Sequence, residues 1–195
     1  MDEGAERPRR GRTRDPAKDV AVLEATIKLL AVEGLASMSM DRVAAEAGVS
    51  KVTVYTRWSS RTELIGAALT HLQVDHVPAP TGSVRHDLVA HLAAMRRQYD
   101  EVGGMAIIGN CLAEEPASGD LLAIIRRSTL LPRRAHFAEV VRAGIERGEL
   151  RADVDPERVT SMVVGVFYAD HLAGQPLDGD WAETVVDDVL RGLRP

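Results

Sequence analysis

The stretch that decides the fold is GVSKVTVYTRW, Gly48 to Trp58. Its centre, Val52-Thr53-Val54-Tyr55-Thr56, is built from β-branched and aromatic residues, which on propensity alone read as strand. The flanks contradict that reading. Upstream, Ser39 stands as an N-cap before Met40 to Ala47, whose inner face is Val43, Ala44 and Ala47. Gly48 then supplies the left-handed residue that ends this helix, and Ser50 caps the next. Wound as a helix, Lys51 to Trp58 places Val54 and Trp58 four apart on one face, with Val49 leading in. No convincing partner strand occurs elsewhere, so tertiary context is expected to override weak helix propensity here.

Working outward, the other segments also read as helices. Asp15-Pro16 is a strong start, with Asp at the cap and Pro at the first helical position. Apolar residues then recur at Val20, Leu23, Ile27, Leu30 and Ala31, and the helix stops at Gly34. Ser60-Arg61-Thr62-Glu63 reads as a capping box opening a helix through Leu64, Ile65, Ala68, Leu69 and Leu72. His76 to Gly82, with Pro78 and Pro80, reads as a linker. Beyond it, helices are expected at about 83–102, 105–114 and 118–147, the last ending at Gly148. Asp155-Pro156 opens another to about 173, and Asp180 with Glu183 reads as a second capping box opening a last helix to about 193. The expected fold is all-α with about nine helices. It divides into a tail over 1–14, a helix-turn-helix domain over 15–72 with its second helix at about 51–57, and a second helical domain over 73–195.

Composition agrees. Forty-five per cent hydrophobic and 27% charged residues suit a globular chain, and only 4% aromatics favour layered helices over a sandwich. No apolar run approaches the roughly 20 residues of a membrane span, and the arginine-rich N-terminus has no apolar segment behind it to make a signal peptide. One cysteine, Cys111, permits no intrachain disulfide and suggests a reducing cytoplasm. The net charge of −5 is unevenly spread: residues 1–75 carry 11 Lys/Arg against 11 Asp/Glu, residues 76–195 carry 13 against 18. Between Arg7 and Lys18 six basic residues face Asp15 alone. A run of this kind is either a solvated tail or an arm that follows phosphates.

The face opposite Val54 holds Lys51, Val52, Thr53, Tyr55, Thr56 and Arg57. A short helix of this type fits the major groove of B-DNA, leading with its N-terminal residues. Thr offers a hydroxyl for bases or phosphate and a methyl for thymine, Tyr reaches a phosphate, and Lys and Arg supply charge. A helical bundle with polar surface threonines accounts less well for an exposed Tyr55 and Val52 beside Lys51 and Arg57.

The block GLASMSMDRVAAEAGVSKVTVYTRWSSRTELIGAAL, Gly34 to Leu69, resembles the DNA-binding domain of TetR-family transcriptional regulators. The resemblance rests on Gly34, Ser39 four before Val43, the pair Val43-Ala44, Ala47-Gly48-Val49-Ser50, Thr53-Val54-Tyr55, and Trp58 with Arg61. Specific motifs cover residues 16–72, and the remainder is similar only in being helical and ending in two amphipathic helices. Ser39 stands where Thr is usual, Val52 where a small or polar residue is common, Arg57 where His or Tyr often occurs, and Arg61 where Lys is frequent. Base preference therefore does not carry over. The resemblance implies base-groove contacts from Lys51, Val52, Thr53, Tyr55 and Arg57, and backbone contacts from Ser39, Met40 and Arg61.

It also implies a homodimer reading a pseudo-palindromic operator on double-stranded DNA, closed by the last two helices of each subunit. The stripes there are Val159, Met162, Val163 and Val166, then Trp181, Val185 and Val189, and packing within the chain is the ordinary alternative. Between linker and interface, Met95, Tyr99, Met105, Ile108, Asn110, Cys111 and Phe137 are candidates to line a pocket for a small apolar or amphiphilic effector, or else plain core.

Cys111 amid Ile107, Ile108 and Leu112 reads as packed rather than nucleophilic. The six histidines show no metal-ligand spacing, and no glycine-rich phosphate loop or G-x-S-x-G elbow occurs. No enzyme activity, metal or cofactor is expected. The sequence reads as a ligand-responsive repressor, the alternative being an interaction protein whose helix-turn-helix no longer reads DNA.

Overall fold

The computed structural model describes residues 15–74, 77–114 and 120–194. The helices are α1 (Pro16–Ser37), α2 (Met40–Glu46), α3 (Lys51–Arg57), α4 (Arg61–Val74), α5 (Val84–Val102), α6 (Gly104–Glu114), α7 (Asp120–Ile125), α8 (Leu131–Glu146), α9 (Pro156–Leu172) and α10 (Trp181–Arg191). Arg126–Leu130 forms a π turn between α7 and α8, with helical φ/ψ at both joins. These three pieces therefore run on as one rod, which makes nine helical rods and no strand among the described residues. The basic tail over 1–14 and His76 of the expected linker lie outside the described residues.

The local signals work as their chemistry requires. Asp15 accepts from the Ala17 amide, Ser39 from Arg42, Ser50 from Thr53 and Asp155 from Glu157, each satisfying an amide that a helix N-terminus leaves open. Gly34 takes φ 71° and breaks α1 where the pattern stops. Two capping boxes differ from expectation. Glu63 reaches past Ser60 and accepts from the Ser59 amide and hydroxyl at 2.7 and 2.6 Å, while Ser60 Oγ accepts from the Glu63 amide as expected. Asp180 makes no side-chain cap at all. Its φ −91°, ψ 13° are not the extended values that swing a carboxylate over the helix end. The start of α10 is instead anchored by Trp181, whose indole N–H donates to Asp170 on α9 at 2.8 Å.

Two apolar cores hold the helices. The first gathers Val22 and Leu30 of α1, Val43 of α2, Val54 of α3 and Leu64 of α4, together with Cys111 of α6 and Ile125 of α7. The second gathers Leu88 and Leu92 of α5, Phe137 of α8, Val163 and Phe167 of α9 and Val186 of α10. The helix-turn-helix thus shares its core with α6 and α7, and movement in that pair reaches α1 and α4 directly. The approach is close: at Gly103, φ 64°, a Cβ would stand 3.2 Å from that of Ala31.

Candidate nucleic-acid interface

Helix α3 sits where its inner face dictates. Val54 is fully buried and Trp58 nearly so, while Val52 is 74% and Tyr55 54% exposed. Two large side chains with apolar surface, held outward on one short helix beside Lys51, form a ready contact surface. Ser50 Oγ accepts from the Thr53 amide at 3.2 Å and shares a hydrogen bond with the Thr53 hydroxyl at 2.8 Å. Thr56 donates back to the Val52 carbonyl at 2.6 Å, which ties its hydroxyl to its own helix. Lys51 meets Asp41 of α2 at 2.5 Å, and that hydrogen bond is the main reason the Asp41 carboxyl lies below, and the Lys51 amine above, its ordinary range. Both side chains reach solvent, so a phosphate or base acceptor competes for Lys51 at little cost.

Three expected DNA contacts are placed differently by the structure. Arg57 turns inward: it pairs with Asp19 of α1 and donates to the Thr53 carbonyl at 3.1 Å, both side chains of the pair being largely buried. It serves as a strut that fixes α3 against α1. Arg61 spends one nitrogen on the carbonyls of Leu35 and Met38 at 3.0 and 3.1 Å, closing the turn between α1 and α2. Met40 is only 6% exposed, its side chain lying in the first core, so only its backbone amide at the α2 N-terminus remains to meet phosphate. Ser39 is exposed at that same N-terminus. Lys51, Val52, Thr53 and Tyr55 therefore carry the outward surface.

The seven expected pocket residues divide. Tyr99 and Ile108 line a cavity of about 30 Å³ beneath Leu69 and Leu72 of α4. Met95 and Phe137 line a neighbouring one of about 20 Å³ beside His91. Met105 packs half-buried on the second core. Asn110 and Cys111 turn the other way: Asn110 donates to the Leu30 carbonyl at 3.1 Å, and Cys111 is fully buried in the first core, so both belong to the α1–α6 contact. Three residues that stand on the cavity walls, Gln98, Thr129 and Arg133, were missed. The signal was present, because Thr129, Arg133 and Phe137 recur at four-residue spacing on the row that faces the core. A larger concavity, about 650 Å³, is elsewhere, an open cleft between α1, α4 and the α5–α6 turn.

The expected dimer stripes also divide. Val159 and Val163 are 2% and 0% exposed within their own subunit, and Trp181 and Val185 are buried at 9% and 8%, so these four serve the second core. They have almost no surface left for a partner. Val189 is half-buried against the same core. The outward row of α9 is Met162, half-buried Val166, exposed Ala169 and Leu172, with Leu172 79% exposed.

His91 titrates below its ordinary value because burial disfavours its charge, with His136 adding repulsion and Asp87 opposing. A histidine depressed in the folded state contributes stability above its unfolded value, and that is lost as pH falls through the folded value. Chemical denaturation across this acid range should show the decline, and His91→Gln should flatten it. Among the described residues no cluster of His, Cys, Asp or Glu is arranged to hold a metal, and no helix is long and apolar enough to cross a membrane.

Residues 22–68 match the family model described as bacterial regulatory proteins, tetR family, and residues 78–189 match that of the tetracyclin repressor-like C-terminal domain. A DNA-binding transcriptional repressor TetR from Mycobacteroides abscessus is 31% identical, covering 91% of this chain and 94% of the relative. An uncharacterized HTH-type transcriptional regulator, YdeS of Bacillus subtilis, is 28% identical over 95% of this chain and 94% of its own. The crystal structure of the TetR family transcription regulator SCO0332 superposes with a TM-score of 0.70 at 31% identity, covering 91% of this chain and 99% of that one. With both halves matched, and with α2 and α3 forming the helix-turn-helix, this chain belongs to the TetR family of DNA-binding transcriptional regulators.

Proposed function

We propose that the protein is a ligand-responsive repressor that binds a pseudo-palindromic operator as a homodimer in the cytoplasm. The observation that carries the DNA reading is the outward row of α3, where Val52 and Tyr55 stand exposed beside Lys51 and the half-buried Thr53. One such helix touches too few bases for specificity, which favours two copies and two successive grooves. The outward row of α9, from Met162 to Leu172, is the surface we assign to the partner copy. A small apolar or amphiphilic effector would act by preferring a conformation with the wrong spacing between recognition helices.

Fluorescence anisotropy against the chain's own upstream DNA, with unrelated duplex as control, tests this reading. Equal affinity for both would sink the sequence-specific reading and leave an interaction protein. Tyr55→Phe should weaken binding at all sequences alike, by about 1.5–3 kcal/mol for a lost hydrogen bond to phosphate. Lys51→Ala and Thr53→Ala should instead change preference at particular base pairs, by about 1–3 kcal/mol each. A Tyr55→Phe variant that loses specific binding alone would assign the hydroxyl to a base.

A further inference from the structure

Arg133 of α8 is 8% exposed, and its Nη1 has no hydrogen-bond partner. One turn earlier, Thr129 in the π turn is 9% exposed, and its hydroxyl also has none. Both line the cavity beneath α4, whose other walls, Gln98 and Tyr99 apart, are apolar, among them Leu69, Leu72, Val102 and Ile125. A guanidinium keeps its charge when buried, and burying it without an anion is costly. What surrounds Arg133 is neutral. Its Nη2 donates to Gln98, and its guanidinium lies 5.1 Å from the centre of the Tyr99 ring. Tyr99 in turn shares a hydrogen bond of 2.7 Å with Tyr168, whose phenol burial pushes well above its ordinary value, so the Tyr168 hydroxyl supplies no negative charge. Among the described residues no carboxylate pairs with Arg133.

We propose that this site takes the carboxylate of a small apolar monoacid, held by Arg133 and Thr129, and that the acid is the effector. The proposal deepens the ligand-responsive reading and rests on it for its regulatory half. One guanidinium matches one planar carboxylate through paired N–H donors, and a single positive charge suits a monoanion better than a phosphate. Thr129 adds a hydroxyl donor, and the hydrocarbon lies against Leu69, Val102 and Ile125.

A route to the DNA-binding half starts at the same arginine. The Gln98 amide that accepts from Arg133 donates its N–H to the Leu72 carbonyl, in the last turn of α4, where carbonyls lack helical partners. An acid that takes Arg133 loosens Gln98 and so the end of α4. The cavity, about 30 Å³, has room for little more than one water, so a monoacid fits only when α4 and the π turn move apart. The acid therefore binds the opened state in preference, which is the differential affinity a switch requires. Single π turns inserted in α-helices are often found at functional sites, and this one contributes Thr129.

The test is calorimetry on the full chain without DNA, using hexanoate, octanoate, decanoate and dodecanoate beside the alcohols of equal length. At least one acid should bind, about tenfold or more tighter than its alcohol. Arg133→Met, which fills the same space without charge, should erase that preference. Gln98→Glu, which offers Arg133 an internal carboxylate, should remove the acid's advantage, so that acid and alcohol of equal length bind alike. The second variant keeps the test decisive if the first does not fold. Equal binding of acid and alcohol, no binding by any acid, or a preference surviving in Arg133→Met overturns the proposal. Operator anisotropy is read separately: failure to bind DNA with no acid present counts against the repressor reading, while the calorimetry judges the anion site alone. With both intact, the bound acid should release operator from wild type and not from Gln98→Glu.

Discussion

Val166→Asp combined with Met162→Asp is expected to give a folded monomer, whereas Val163→Asp, one helical step away, is expected to unfold the C-terminal half. The distinction follows from which face of α9 each residue occupies. Val163 is 0% exposed inside the second core, and a carboxylate there has no partner and no water. A penalty of more than about 4 kcal/mol is a large fraction of the stability of a domain of this size. Met162 is 43% exposed and Val166 half-buried at the edge of the second core, so charges there cost the isolated subunit far less than at Val163 but oppose each other across a two-fold contact. Losing the partner removes half of the base contacts, and operator affinity should fall by roughly a thousandfold or more. Sedimentation and circular dichroism on the same samples decide the matter. A folded, dimeric double variant would take the outward row of α9 out of the interface.

Asp19→Ala should destabilise the helix-turn-helix by about 3 kcal/mol, more than its distance from the operator surface suggests. Asp19 and Arg57 form the pair between α1 and α3, with side-chain exposures of 13% and 16%. Removing the carboxylate leaves a guanidinium in a site that water reaches poorly, and that orphaned charge dominates the cost. Combining Asp19→Ala with Arg57→Met should recover most of the loss, because no buried charge then remains. Urea denaturation of the four proteins of this cycle measures the coupling. Equal destabilisation in the single and double variants would show that the pair does little beyond packing. The same cycle read by anisotropy asks whether Arg57 positions the helix, as its placement indicates, or touches DNA.

The helix-turn-helix was legible because its signals are local. Ser39 and Ser50 cap, Gly34 and Gly48 adopt positive φ, and Val54 with Trp58 four apart point inward, each within a few residues of what it controls. These determined the all-α class, the register of α3 and the exposure of Val52 and Tyr55. Long-range partners were not legible. Arg57 and Asp19 lie 38 residues apart, so only the packing of α3 on α1 reveals that Arg57 turns inward onto Asp19. Arg61 likewise met carbonyls 23 and 26 residues away. On α9 the sequence specified an amphipathic helix but not which of two apolar rows faced the core, since Val159 and Val163 differ from Met162 and Val166 only by rotation about the helix axis. The buried charge at Arg133 was decided last. Its row on α8 was readable, but whether an arginine there is paired depends on what α4, α5 and α9 bring against it, and only the packed structure brings Gln98, Tyr99 and an apolar cavity without a carboxylate.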